Sequence, residues 1–273
     1  MGASSNKRKK FLQNNPLCAF CGGKTPATTI EHCPPRGLFQ DRQWPEGFEF
    51  PACANCNRNT SDDDLLVIIL AKMAPKGNTE YATEELRGQL RRAEQQFPGI
   101  LDQMMPSATT ARKYNESLGL VPAIGRTHQK TGILQIPDEF HEAIYSFARK
   151  LAKGIYYNNS RSIFPSNGGL AVYWFSNVDI LQRQSHPFEF LQHIPGTAPD
   201  IVRSGKYLHD QFEYKISTAS DFSVFIIQAL FGNSFGLIVL GNKSPGQLEA
   251  MLEKLSNQTN HAGAFKIIQS HID

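Results

Sequence analysis

The stretch Cys18-Ala-Phe-Cys21 and its counterpart Cys53-Ala-Asn-Cys56 decide the fold of the first part of this chain. All five cysteines of the 273 residues lie between positions 18 and 56, and the fifth, Cys33, stands alone. Two residues between paired thiols suit tetrahedral zinc, because both sulfurs of a pair turn the same way and two pairs supply four ligands. The pattern therefore predicts one structural zinc ion held by Cys18, Cys21, Cys53 and Cys56.

Two other roles for the paired cysteines have less support. Disulfides are disfavoured because residues 1–10 carry charge without the apolar stretch of a secretion signal. A redox Cys-x-x-Cys would explain one pair and not two, and no βαβ pattern surrounds either pair. Cys33 is interpreted as a small hydrophobic residue.

The segment between the two pairs is long: 31 residues, against about 15–20 in an ordinary zinc ribbon. Residues 28–32 are rich in β-branched side chains and predict a strand, which Pro34 and Pro35 end because proline cannot continue a ladder. Residues 48–52 predict a second strand, and the apolar run 65–71 predicts a helix. The expected order is cysteine pair, strand, loop, strand, cysteine pair, helix.

This arrangement resembles the HNH endonucleases of the ββα-metal nuclease group. In that family a Cys-x-x-Cys precedes an Asp/Glu-His pair, and a second Cys-x-x-Cys is followed at once by His or Asn and then by a helix. Here Glu31-His32 lies between the two cysteine pairs, and Asn57 follows the second pair. The phrase Glu-His-x-Pro-Pro that begins at Glu31 looks like a bacterial subgroup of the family. The resemblance covers about residues 15–70.

The resemblance implies a catalytic centre built from Glu31, His32 and Asn57. In it a divalent cation such as Mg²⁺ is held by Glu31 and Asn57 and binds the scissile phosphate, while His32 is the general base that activates water. The residue types suit these roles, because imidazole titrates near neutral pH and carboxylate oxygens suit a hard cation. Asn59 and Asp62 are the alternatives to Asn57 if the following helix begins elsewhere.

One departure from the family pattern concerns the orientation of His32. The family usually carries a further Asn shortly before the second cysteine pair, where it helps to orient the catalytic His. Residues 47–52 contain no Asn. We therefore expect Glu49 or a backbone carbonyl to orient His32.

The positive charge of the chain is concentrated near the cysteines. Residues 1–60 hold eight Lys and Arg against four Asp and Glu, whereas the whole chain has a net charge of only +3. A basic end on an otherwise neutral protein is typical of a polyanion partner, although residues 7–10 could equally be a solvated tail. The predicted partner is nucleic acid, DNA rather than RNA, and the predicted contacts are Lys7, Arg8, Lys9, Lys10, Arg36 and Arg58.

The rest of the chain predicts an α+β fold. The expected divisions are a basic flexible tail (1–14), the zinc-bound HNH module (15–75), a helical connector (76–128) and an α+β domain of unknown role (129–273). In that domain a mainly antiparallel sheet with flanking helices is expected, with strands at 170–175, 188–194, 212–217, 222–230, 235–240 and 265–268. The helix that opens at Asp138 carries Arg149, Lys150 and Lys153 on a face expected to be solvated.

The resulting hypothesis is a metal-dependent HNH endonuclease that hydrolyses phosphodiester bonds, with restriction or phage defence as its setting. Two alternatives stay open: a non-catalytic zinc module that binds nucleic acid, and an RNA-cleaving toxin with the same site. No apolar run approaches the roughly 18 residues of a membrane span. A cytoplasmic location is therefore expected, and the C-terminal domain could mediate self-association.

Overall fold

The N-terminal part folds as two strands followed by helices. The computed structural model describes residues 3–74, 79–130, 133–183, 186–258 and 265–270. Strands β1 (Thr29–His32) and β2 (Glu49–Ala52) form an antiparallel hairpin in which His32 lies opposite Glu49. The short helix α2 (Ala54–Arg58) begins directly after Cys53 and is followed by α3 (Ser61–Lys72). The predicted order of strand, strand and helix is confirmed.

Helix α3 lies at the centre of the molecule. Residues 65–72 are all buried, including Lys72, as expected for a helix that is apolar around its whole circumference. It packs against α4 (Thr79–Gln96) on one side and against α7 (Asp138–Ser160) on another. The N-terminal hairpin and the C-terminal region therefore meet on a common helix.

The C-terminal region contains the predicted antiparallel sheet. Its five strands lie in the order β6, β7, β8, β3, β9, all antiparallel to their neighbours: β3 (Gly169–Ser176), β6 (Glu213–Thr218), β7 (Val224–Phe231), β8 (Phe235–Asn242) and β9 (Lys266–Gln269). Alternate β3 residues face opposite sides: Val172 belongs to the main core, and Ala171 packs with Leu248 of α9 (Pro245–Gln258). The remaining elements are α1 (Ala3–Asn14), α5 (Ile100–Met104), α6 (Ala108–Ser117), α8 (Asn177–Arg183), β4 (Val202–Arg203) and β5 (Lys206–Tyr207).

One predicted strand is wrong. Residues 188–194 form a loop with a 3-10 turn at Glu189–Leu191. Phe188, Leu191 and Ile194 are spaced three apart, so in a 3-10 conformation they fall on one side. All three pack with Tyr173 and Phe175 against the face of the sheet that carries those rings. The apolar run covers the sheet instead of extending it.

The predicted tail and connector both contain helices. Residues 3–14, expected to be flexible, form α1, and the Arg8 guanidinium donates a hydrogen bond to the carbonyl of Thr28 at 3.2 Å. The connector contains α5 and α6 besides α4. The basic residues of α1 are good helix formers, and a charged segment without an apolar stripe gave no signal for such a helix.

The predicted boundary near residue 128 does not separate two cores. A single cluster of buried side chains runs from the cysteines through α3 and α7 to the sheet. The Phe50 ring of β2 lies so close to Gly154 of α7 that a Cβ there would be 2.9 Å from its ring atoms. The two regions are packed as tightly as parts of one domain.

Candidate functional site

The four paired cysteines form one cluster. The Sγ atoms of Cys18, Cys21, Cys53 and Cys56 all lie within 4.8 Å of one another. Tetrahedral zinc with Zn–S bonds of about 2.3 Å needs sulfurs roughly 3.8 Å apart, so small side-chain rotations complete such a site. Cys33 is buried and stands outside the cluster. These four thiols can hold one metal ion such as zinc.

The backbone around the thiols is arranged for thiolate ligands. The amide of Phe20 donates to Cys18 Sγ and the amide of Cys56 donates to Cys53 Sγ, each at 3.4 Å. Such N–H···S bonds stabilise negative sulfur. Hydrogen bonding from the neighbouring Cys56 thiol lowers the pKa of Cys18 to about 4. Burial raises the pKa of Cys21, and the hydrogen bond to Cys18 raises that of Cys56. The cluster therefore favours one thiolate, at Cys18, and a metal ion would displace the protons of the other thiols on binding.

His32 lies at the end of β1, on the wall of a cavity of about 300 Å³. Its Nε2 is 3.3 Å from Glu49 Oε1 and 2.7 Å from a guanidinium nitrogen of Arg36. The Trp44 ring meets the imidazole edge-on, with 4.9 Å between centroids. Burial, reinforced by the Arg36 charge, lowers the pKa of His32 to about 4. His32 is therefore neutral at pH 7. Glu49 faces the nitrogen to which Arg36 donates, so it can accept a hydrogen bond from the ring only when Nε2 is protonated.

Glu31 is buried and forms an ion pair with Lys150 of α7. Lys150 Nζ contacts Glu31 Oε1, donates to Thr60 Oγ1 at 2.6 Å and lies 3.7 Å from Asp64 Oδ2. Burial alone would lower the pKa of Lys150, but the carboxylates of Asp64 and Glu31 raise it. The ammonium therefore stays charged between two acidic side chains.

The prediction that Lys150 and Lys153 lie on a solvated face of α7 is therefore wrong. Lys150 is 5% exposed and Lys153 is 1% exposed. Lys153 donates to the carbonyls of Phe20 and Ser270. It therefore connects the first Cys-x-x-Cys pair to the end of β9. These lysines are buried because each finds oxygen acceptors: Lys150 at Glu31 and Thr60, and Lys153 at the two carbonyls just named.

Asn57 reaches the same cavity as Glu31 and His32. Its amide nitrogen donates to Thr29 Oγ1 at 3.0 Å and to the carbonyl of Ile30 at 3.3 Å, and this leaves its oxygen as the group that a cation would take. The alternative ligands Asn59 and Asp62 do not line this cavity. Asp64, one helical turn into α3, does line it.

Arginines surround the cavity. Arg36, Arg42 and Arg92 line it, and none of them forms an ion pair with a carboxylate of the described residues. Of the six predicted nucleic-acid contacts only Arg36 lies here. Arg58 and the α1 residues Lys7, Lys9 and Lys10 are exposed elsewhere, and Arg8 binds the Thr28 carbonyl.

Several residues of this site were missed by sequence reasoning. Asp64 and Arg92 are not among the predicted site residues, and Lys150 is predicted to lie on a solvated face. Arg203 of β4 also approaches His32 and carried no signal in its own sequence context. Lys150 and Arg203 reach this site only through tertiary contacts between residues that are more than 100 positions apart in the sequence.

Comparison of the chain with protein families, curated proteins and solved structures finds no match. Among the helices of the described residues, none combines the length and apolarity needed to cross a bilayer.

Proposed function

We propose that this protein is a metal-dependent endonuclease that hydrolyses phosphodiester bonds, with DNA as the favoured substrate. The observation that carries the proposal is a neutral histidine on the wall of a cavity lined by three arginines, none of which forms an ion pair with a carboxylate in the described part of the chain. Unpaired guanidinium groups attract an anion, and they match phosphate geometry through paired hydrogen bonds. A neutral imidazole beside them is the protonation state of a general base.

In this proposal His32 accepts the proton of the attacking water. Arg36 donates to Nε2, so this nitrogen carries the lone pair that a base needs. When the phosphate draws the Arg36 guanidinium to itself, Nε2 becomes available to water. Glu49 Oε1 lies 3.3 Å from the same nitrogen, so once Nε2 has taken the proton from water, Glu49 can accept a hydrogen bond from it and stabilise the resulting imidazolium.

The metal part of the proposal places Mg²⁺, or another hard divalent cation, at Glu31 and Asn57. These two residues and Asp64 line the cavity, and their side chains offer the oxygen donors that such a cation prefers. When bound, the cation supplies charge neutralisation at the phosphate. Glu31 gives one oxygen to Lys150, so Lys150 holds the carboxylate in place. The ion of the four-cysteine cluster is proposed to be zinc, with a structural role.

A second candidate is a non-catalytic zinc module that binds nucleic acid. The Lys150 ammonium favours it, because this ammonium already neutralises the acidic pair that the cation would use. The two candidates share the arginine-lined cavity and differ only in whether the bond is cut.

A cleavage assay with purified protein separates these candidates. Plasmid, linear duplex, single-stranded DNA and RNA are incubated with Mg²⁺ or Mn²⁺, without added divalent cation, and with chelator. Because a strong chelator also extracts structural zinc, the arm without added cation isolates the catalytic ion. We expect cation-dependent cutting, strongest on DNA. Binding without cutting under every condition would favour the non-catalytic module, and cutting of RNA alone would favour a ribonuclease.

A further inference from the structure

Trp44 supports two arginines beside the His32 cavity. The Cζ atoms of Arg36 and Arg203 each lie 4.1 Å from the centroid of the Trp44 ring. Both guanidinium groups are therefore held against the same indole, and neither forms an ion pair within the described part of the chain. Cation–π contacts hold each guanidinium in place, but they do not offset the mutual repulsion of two cations. Such a pair needs an anion to complete it.

Both sequence neighbours of Arg203 form hydrogen bonds with Glu46, and these bonds fix its position. The amide of Glu46 donates to the carbonyl of Val202 at 2.9 Å, and the amide of Ser204 donates to Glu46 Oε1 at 2.8 Å. The loop that carries Trp44 is thereby tied to the β4–β5 hairpin. The indole Nε1 of Trp44 is buried and has no hydrogen-bond acceptor among the described residues. A buried donor without a partner is uncommon.

We propose that Arg36 and Arg203, stacked on Trp44, form a phosphate-binding subsite that holds the nucleic-acid backbone next to the bond cut at His32. This inference rests on the proposed nuclease function and gives the C-terminal region a role in it. Planar guanidinium groups recognise phosphate oxygens through paired hydrogen bonds, and a rigid aromatic support reduces the entropy lost on binding. The contact is to the backbone, so it adds affinity and register without reading sequence.

The test is the salt dependence of duplex binding by Arg203→Gln, measured by fluorescence anisotropy without added divalent cation. Each phosphate contact contributes about 0.9 to the slope of log K against log salt concentration for duplex DNA. We expect Arg203→Gln to reduce the slope by about that amount and to weaken binding about tenfold at low salt. The exposed Arg126, which does not line the cavity, supplies the matched control Arg126→Gln. Equal slopes for the two variants would overturn the subsite.

A second measurement covers the case in which Arg203→Gln does not fold, judged by zinc content and circular dichroism. Wild-type protein is modified with phenylglyoxal with and without bound duplex, and the modified arginines are identified by mass spectrometry. Protection of Arg203, with Arg126 unprotected, is the expected result; equal modification of Arg203 in both samples overturns the subsite. If the wild-type protein binds no nucleic acid, the proposed function is contradicted as well as the subsite. A wild type that binds and cuts while Arg203 stays unprotected removes the subsite alone.

Discussion

Replacing Lys150 by Met is expected to destabilise the protein by about 3–5 kcal/mol, because removal of one partner leaves the charge of a buried ion pair uncompensated. Glu31 is 5% exposed, and Asp64 lies 3.7 Å from the same ammonium. Burial raises the pKa of Glu31 to about 7 even with Lys150 present, so without Lys150 the two side chains must either repel one another or take up a proton. The Thr60 hydroxyl also loses its hydrogen-bond donor.

Urea unfolding, followed by circular dichroism, measures this effect. Lys113→Met is the matched control, because Lys113 is exposed on α6 and its substitution is expected to change stability by less than about 0.5 kcal/mol. The double variant Glu31→Gln with Lys150→Met should recover part of the loss, since one buried charge is removed. A Lys150→Met midpoint equal to that of Lys113→Met would contradict the ion pair.

Loss of the metal at the four cysteines is expected to unfold the N-terminal part of the chain and to abolish cleavage. Structural zinc contributes about 10–16 kcal/mol in small zinc-finger peptides, which exceeds or matches the net stability of a typical protein, about 5–15 kcal/mol. Cys53 precedes α2, and its thiol accepts a hydrogen bond from the backbone amide of Cys56. Loss of this ligand therefore removes the contacts that hold the second Cys-x-x-Cys pair and the start of α2 in place.

Elemental analysis and thermal unfolding of Cys53→Ser test this expectation. Wild type should contain about one zinc per chain, and Cys53→Ser should lose both zinc and the folding transition of the wild type. Cys33→Ala is the control: Cys33 is buried but stands outside the cluster, so its variant should keep the zinc. A wild type that is folded and free of metal, or a Cys53→Ser variant that melts like wild type, would contradict the four-cysteine site.

Local patterns predicted much of this structure. The cysteine spacing located the cluster of four thiols that could hold a metal ion, because the spacing within each Cys-x-x-Cys pair is a local property of the chain. The β-branched segment before Pro34 and Pro35 located the end of β1, and with it His32. Short apolar segments located most strands of the sheet, whereas the strand prediction for residues 188–194 failed because a 3-10 turn also places apolar side chains on one side.

The environment of the site could not be predicted in the same way. Lys150 looks like any lysine on the polar face of an amphipathic helix, and only the acidic side chains of β1 and α3 explain its burial. Arg203 lies in a two-residue strand, and its role depends on a loop more than 150 positions earlier. Charge pairing across such distances follows from tertiary packing, which a single sequence does not display.

The cleavage rate of His32→Ala, compared with that of His193→Ala, tests the central claim most directly. His193 is exposed and remote from the cavity lining, so its variant should cut at the wild-type rate. Loss of a general base is expected to lower the rate about 10²–10⁴-fold. Zinc content and duplex binding of His32→Ala should match those of wild type. A folded, zinc-containing His32→Ala that still cuts DNA at the wild-type rate would contradict the assignment of His32 and of the cavity around it.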